Sequence, residues 1–449
     1  MRTRYGLWSV VFLGALIVGC GVSTSAAAHL RLFVGTHAAI GPTPSTWPTD
    51  HRLLSNNSTA VAASFAGPGP HYVVQFPYKV SSDTPVVNGL AYLTSGDVSG
   101  TSHPAAGTLW AVDPASGRVI WRRTLPNTAF AEPIVADGRV YVGVGNILFP
   151  RSPSPTSRHL TRGTGVSGVW AFSARSGELL WHMRTDGADQ APVTVSHGVV
   201  YLASGDRYFY ALNAATGAML WKVPLHAYVS RSGPRIIGSM AFVGGADPGS
   251  VVAINLLSHR VAWRTLIPNA QAGVDDTPLA YAHGILLTAA ITVRHDQVLP
   301  STSLHHHADL FALSAATGHI LWHRQLARGT MPNLKATGTP LIAGSTAYVG
   351  NAINGAVTAV ALTNGHVLWR FTADSPVKKP PVLAQGRLYF VSLHGTLYAL
   401  STAGRLLARQ SLGPVANVRG PVLINRTLLV VLNTVSHGYL WAEPVNSLR

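Results

Sequence analysis

Cysteine is almost absent from this chain: Cys20 is the only one in 449 residues. No intrachain disulfide can form, so packing alone must stabilise the fold. Charge is also scarce. Asp, Glu, Lys and Arg make up 11% of the residues, against roughly 25% in ordinary soluble domains. Carboxylates are the scarcer sign, 17 against 33 basic residues, for a net charge of +16. Few carboxylates and 20 His suit an acidic exterior, where carboxylates lose their charge and cannot sustain ion pairs. The alternative is attraction to an anionic partner such as a phospholipid face or a cell-wall polymer. No basic run is interleaved with aromatics, which argues against nucleic acid. A Gly-rich phosphate loop, an HExxH motif and a nucleophile elbow are all missing.

The N-terminus carries an export signal. Arg2 and Arg4 form a basic end, and an uncharged, mostly apolar stretch runs from Leu7 to Gly19. That is short of the roughly 20 residues a membrane span requires. The stretch ends in Ile17-Val18-Gly19-Cys20, similar to the bacterial lipobox, whose Cys becomes the lipidated first residue. Ordinary cleavage after Ala26-Ala27-Ala28 is the alternative. With residues 1–19 removed, 31 basic residues face 17 acidic ones, a net of +14. Residues 20–70 are rich in Ser, Thr, Ala, Gly and Pro and read as a flexible tether. Two or more acyl chains on Cys20 would anchor the protein to a membrane face.

From residue 71 onward the chain repeats. Phe311-Ala312-Leu313-Ser314-Ala315-Ala316-Thr317-Gly318-His319-Ile320-Leu321-Trp322 is an alternating apolar run, a Thr-Gly turn and a second run ending in Trp. Copies end at Trp121, Trp181 and Trp221, degenerate ones at Trp263 and Trp369, and a shorter one at Ala408 has lost its Trp. Period-2 alternation around a Gly-containing turn predicts a β-hairpin. An Ala recurs at 111, 171, 211, 253, 312, 359, 399 and 442, which predicts close approach of a neighbouring sheet. The Trp is predicted to dock between sheets. A second mark, a proline, opens the other half of each unit, at 85, 133, 192, 234, 278, 340, 381 and 421. Pro suits the first residue of a strand. Eight units of four strands predict an all-β, eight-bladed propeller spanning 71–449. A solenoid or two sandwiches would not require eight such units. His71 to Pro77 reads as a strand without its partner, and Tyr439 to Ala442 as a partner without room for a second strand. The two ends are expected to complete the last blade together and remove its edges.

The unit Ala211-Leu212-Asn213-Ala214-Ala215-Thr216-Gly217-Ala218-Met219-Leu220-Trp221 resembles the repeat of pyrroloquinoline-quinone propellers. That superfamily contains quinone-dependent alcohol dehydrogenases and non-catalytic propeller lipoproteins, such as the one in the outer-membrane β-barrel assembly machine. The dehydrogenases carry an adjacent cysteine pair and a Ca²⁺ site of carboxylate and amide side chains. Here Cys20 lies alone in the signal, and only Asp275-Asp276 offers adjacent carboxylates. The resemblance therefore implies a non-catalytic envelope lipoprotein without cofactor or metal. It implies a monomer on the outer face of a membrane or the periplasmic side of the envelope, binding envelope proteins or nascent chains. A quinone-dependent dehydrogenase with Ca²⁺ is the alternative, and a carbohydrate-binding propeller a third.

The residues ahead of each proline should gather at one mouth of the central channel. They are Asp83, Glu132, Asp189 with Gln190, Arg231 with Ser232, Asp275 with Asp276, Thr337, Lys378 with Lys379, and Arg419. Five of the 17 acidic residues fall in this set. It reads either as a polar funnel for a ligand, ion or loop, or as solvated strand starts whose charges pair around the ring. His305-His306-His307, with His295 and Asp296, is expected on a solvated loop in the fifth unit, because three adjacent imidazoles cannot all reach one metal ion.

Overall fold

The computed structural model describes residues 72–96, 107–148, 161–293, 306–330, 338–413, 415, 417–424, 427–435 and 437–445. Cys20, the signal and the tether lie outside the described residues, as do His295, Asp296, His305 and Thr337. Strands fall into eight antiparallel sheets, and no α-helix occurs among the described residues. The sheets are the blades of an eight-bladed β-propeller. The third blade shows the plan: Thr194–Ser196, Val199–Ala203, Tyr208–Asn213 and Met219–Pro224, each strand paired with the next.

Local chemistry accounts for each turn. Between the first two strands, His197 and Gly198 both take positive φ, 49° and 74°. That is the two-residue turn whose twist matches a hairpin. Between the last two strands, Asn213 Oδ1 accepts the amides of Ala215 and Thr216 at 2.9 and 3.1 Å, and the Gly217 amide donates to the Asn213 carbonyl at 2.8 Å. Gly217 has φ of 74°. A Cβ there would lie 2.5 Å from Cε3 of Trp181 in the preceding blade.

The Trp is thus covered by the next blade's turn. Its N–H is satisfied by the same turn: Trp181 Nε1 donates to the Ala214 carbonyl at 3.0 Å. The bond recurs from Trp121 to Ala174, Trp263 to Ala315, Trp322 to Leu362 and Trp369 to Thr402. The third blade departs from the rule. Over its Trp221, His259 of the fourth blade's turn occupies the glycine position with φ of 54°, and its ring stacks on the indole at 4.5 Å. The core is correspondingly distributed between blades. One buried cluster joins Tyr92, Leu109 and Trp121 of the first blade to Val140, Val142 and Trp170 of the second. The recurrent Ala is fully buried in the first six blades.

The ring closes as the sequence predicts. Tyr72–Phe76 pairs with Gly438–Pro444, with Val73 opposite Trp441. Phe76 is 1% exposed and meets Trp110 edge-on at 5.3 Å. One expectation fails. The fifth unit's insertion does not place His306 and His307 on a solvated loop. Its central strands lengthen to Ile285–Val293 and His306–Ser314, and both His are buried. The apolar alternation simply continues through Ala308 and Leu310, so the strand outlasts the repeat. Among the described residues, no group of three or more His, Cys, Asp or Glu is placed to hold a metal ion.

Candidate functional site

The first strand of each blade starts just after its proline: Val86–Val87 after Pro85, Ile134–Ala136 after Pro133, Val382–Ala384 after Pro381. First strands of neighbouring blades touch one another, so they line the axis. The residues ahead of them are held at one mouth, and most are buried, while Arg231, Asp276, Lys378 and Lys379 are half-buried. Asp83, Glu132, Asp189, Asp275 and Arg419 are each 5% exposed or less.

Much of the set pairs across blades. Asp83 accepts from Lys379 Nζ at 3.0 Å and from the Gly420 amide at 3.0 Å, which ties the first blade to the seventh and eighth. Arg231 of the fourth blade lies over the Phe130 ring of the second, 5.5 Å from its centroid. Lys378 is drawn down to about 8 by burial and pushed back up by Asp276. Glu132 and Arg419 are buried at the starts of the second and eighth blades, and the Arg419 amide donates to the Val431 carbonyl at 2.9 Å. Asp189 belongs to a separate buried cluster. It bonds Thr185, while Tyr210 donates to the nearby Asp206. Burial first, then the Asp206 charge, pushes Asp189 well above the usual carboxylate range.

The chemically distinctive residue is Asp275. Its carboxylate accepts from the Ser230 hydroxyl and lies 3.7 Å from Arg162 Nη1, which also donates to Ser230. Its carbonyl accepts the amides of Arg231 and Ser232 at 2.8 and 2.7 Å. Burial is the main effect raising its carboxyl, to about 7, and Asp276 raises it further, against Ser230 and Arg162. Beside it opens a cleft of about 530 Å³ between the fourth and fifth blades, with Tyr228, Asp247, Asn269 and Gln271 in its walls. The arrangement is a carboxylic acid able to hold a proton near neutrality, next to a guanidinium, at the edge of an open cleft. Such a group can act as a general acid. Sequence reasoning missed Arg162, Ser230 and Tyr228. Arg162 arrives from the second blade's insertion, 113 residues before Asp275, and nothing in its neighbourhood marks it. Ser230 sits just ahead of the Arg231-Ser232 pair that the proline mark picked out.

A family profile described as "outer membrane protein assembly factor BamB" matches residues 52–148, 165–351 and 306–438. The chain belongs to this BamB-type family of PQQ-like propellers. Within and around that family its relatives diverge in activity. It is 24% identical to a tetrathionate hydrolase of Acidithiobacillus ferrooxidans over 79% of this chain and 73% of that protein. It is also 24% identical to BamB of Yersinia pestis, over 74% of this chain and 80% of that one. The crystal structure of BamB from Moraxella catarrhalis superposes with a TM-score of 0.58 at 14% identity, covering 83% of this chain and 98% of that one. The chain is thus similar both to a protein named as a hydrolase and to ones named as outer-membrane assembly factors.

Two of the mouth's carboxylates are engaged individually, Asp83 by Lys379 and Asp275 by Ser230 and Arg162. Asp275 and Asp276 stand side by side, and Asp276 in turn favours the charged form of Lys378.

Proposed function

We propose that this chain is an exported hydrolase of a small sulfur oxyanion, with tetrathionate as the type substrate. The observation that carries the reading is Asp275, a buried carboxyl raised to about 7 at the edge of a cleft and beside Arg162. Tetrathionate is a dianion, and Arg162, Arg231 and Lys378 supply positive charge on this side of the ring. In the proposed step, water adds across a sulfur–sulfur bond. Its oxygen bonds to one sulfur, and the other leaves with the bonding pair and takes a proton from Asp275. Water's proton restores the acid, so no oxidant or reductant is needed. The sequence arguments against catalysis concerned a cysteine pair and a calcium set. Neither is required by a hydrolase that uses no quinone. The hydrolase relative supports the substrate class, and the scarcity of carboxylates supports an acidic working exterior.

The test is tetrathionate consumption by the full-length protein, followed by ion chromatography from about pH 2 to 8. Activity should rise as Asp275 takes its proton below about pH 7. Asp275→Asn should lower the rate by about 10²- to 10⁴-fold, the usual contribution of a positioned acid. A wild-type protein that consumes no tetrathionate anywhere in that range rejects the reading.

The match to BamB of Yersinia pestis over 80% of that protein favours a second reading. Here the chain is a non-catalytic scaffold at the cell envelope, a monomer anchored through Cys20, whose propeller binds envelope proteins or nascent chains. Crosslinking in intact cells tests it: specific envelope proteins captured through residues of the mouth, together with an inert tetrathionate assay, would favour the scaffold.

A further inference from the structure

The outermost strand of each blade carries a pattern that neither the mouth nor the Trp docks explain. In the first seven blades the residue after the docking position is basic without exception: Arg122, His182, Lys222, Arg264, His323, Arg370 and Arg409. The residue before it is Ile or Leu in six of the seven, Ala262 being the exception. In each of these blades the residue before the docking position is the extra residue of a β-bulge, as at Leu220 between Met219 and Trp221, so it turns to solvent and not with the Trp. The apolar partners are exposed: Ile120 38%, Leu180 44%, Leu220 50%, Leu321 50%, Leu368 51% and Leu407 40%. The pattern sits at one height. It follows the Thr-Gly turn directly, and that turn bonds the turn between the first two strands, Ala214 N to Gly198 O and Ala315 N to Gly284 O, both near 2.9 Å. Both turns lie at the end of the blade opposite the mouth.

Part of this is structural. Arg122 stacks on Trp110 across the strands, and Lys222 on Tyr208. Yet Arg370 stands opposite Thr358 and Arg264 opposite Val252, so aromatic stacking does not select the cation. Carboxylates on this end among the described residues are few: Asp113 is occupied by its own turn, and Asp137 and Glu178 are exposed.

We infer that this rim is a docking surface for an anionic lipid bilayer. Exposed apolar side chains, with Arg or Lys two residues further along the strand in five of the seven blades, match a surface that sinks its apolar groups into the headgroup–acyl boundary and keeps its cations among anionic headgroups. The sevenfold repetition points to a bilayer over a protein partner. A bilayer offers the same chemistry to every blade, whereas a folded partner would be met by local, unrepeated features. The mouth would then face away from the membrane, open to solvent. The inference is independent of the hydrolase reading.

The test uses the full chain with Cys20→Ser, so that any binding comes from the folded body and not from an acyl anchor. Co-sedimentation is measured with phosphatidylcholine vesicles and with vesicles containing about one quarter phosphatidylglycerol, at low and high salt. One variant combines Arg122→Gln, Lys222→Gln and Arg370→Gln. A second combines Leu180→Ser, Leu220→Ser and Leu368→Ser. Unchanged circular dichroism and melting temperature show that each still folds. The parent should bind the anionic vesicles, lose binding at high salt, and weaken about a hundredfold or more with the charge variant, given the usual contribution per cation. The apolar variant should weaken it at both salt concentrations. Equal binding to both vesicles, no binding by the parent, or variants that bind like the parent would each overturn the inference. So would variants that alter self-association and leave vesicle binding unchanged.

Discussion

Replacing Asp275 by asparagine separates the two consequences of burying a carboxyl at the mouth. The folded state raises this acid from the ordinary 3.8 to about 7. A raised folded-state value means that the native protein holds the proton more tightly than the unfolded chain. The penalty for ionising Asp275 is absent below about pH 4, grows as pH rises, and is complete above about 7. A shift of roughly three units at 1.36 kcal/mol each is about 4 kcal/mol, an upper figure for a site that can relax. Asparagine keeps the shape and an acceptor for the Ser230 hydroxyl but cannot ionise. Asp275→Asn should therefore match the wild type near pH 4 and exceed it near pH 8, by up to about 4 kcal/mol. Scanning calorimetry of both proteins between those limits reads this as two curves that diverge as pH rises. Parallel curves, or a variant less stable at pH 8 than at pH 4 by as much as the wild type, would refute the reasoning. The same substitution should remove activity, the expected trade when a destabilised group does the chemistry.

Further outcomes follow from other residues. Asp189 and Asp206 are raised by burial like Asp275; the same sign makes the whole protein's melting temperature increase as pH falls from 7 to about 4, readable by thermal shift, with Asp189→Asn reducing the slope. Gly217→Ala places a methyl 2.5 Å from Trp181 at a φ of 74°, and should destabilise by roughly 2 to 4 kcal/mol in denaturant melts. Phe76→Ala removes a fully buried ring from the closing strand; it should cost about 3 kcal/mol or more, and hydrogen exchange should rise first in Gly438–Pro444, whose edge it holds.

The repeat was legible because the hairpin chemistry is local. An alternating run, an Asn or Ser at the turn start and a Gly with positive φ act within a dozen residues, so each copy announces itself. The recurring proline did the same for the inner strands. Chain closure was also legible, since a strand lacking a partner at each end has one economical solution. His306 and His307 were misplaced because a polar triplet resembles a loop in one dimension. Only their pairing with Thr292 and Val293 shows that the strand continues. Trp221 was read as one more dock, but the His259 that covers it sits 38 residues later and becomes its neighbour only when the blades stack.

At the mouth the division is sharper. The sequence alone determined which residues end up near the axis, because position ahead of a strand-opening proline is a property of the repeat. Their chemistry was decided by the tertiary structure. Asp83 and Asp275 look alike in the chain, yet one meets Lys379 from 296 residues away and the other is buried beside Asp276 with Arg162 only partly offsetting it. Ionisation depends on distance and dielectric, and neither exists until the ring has closed.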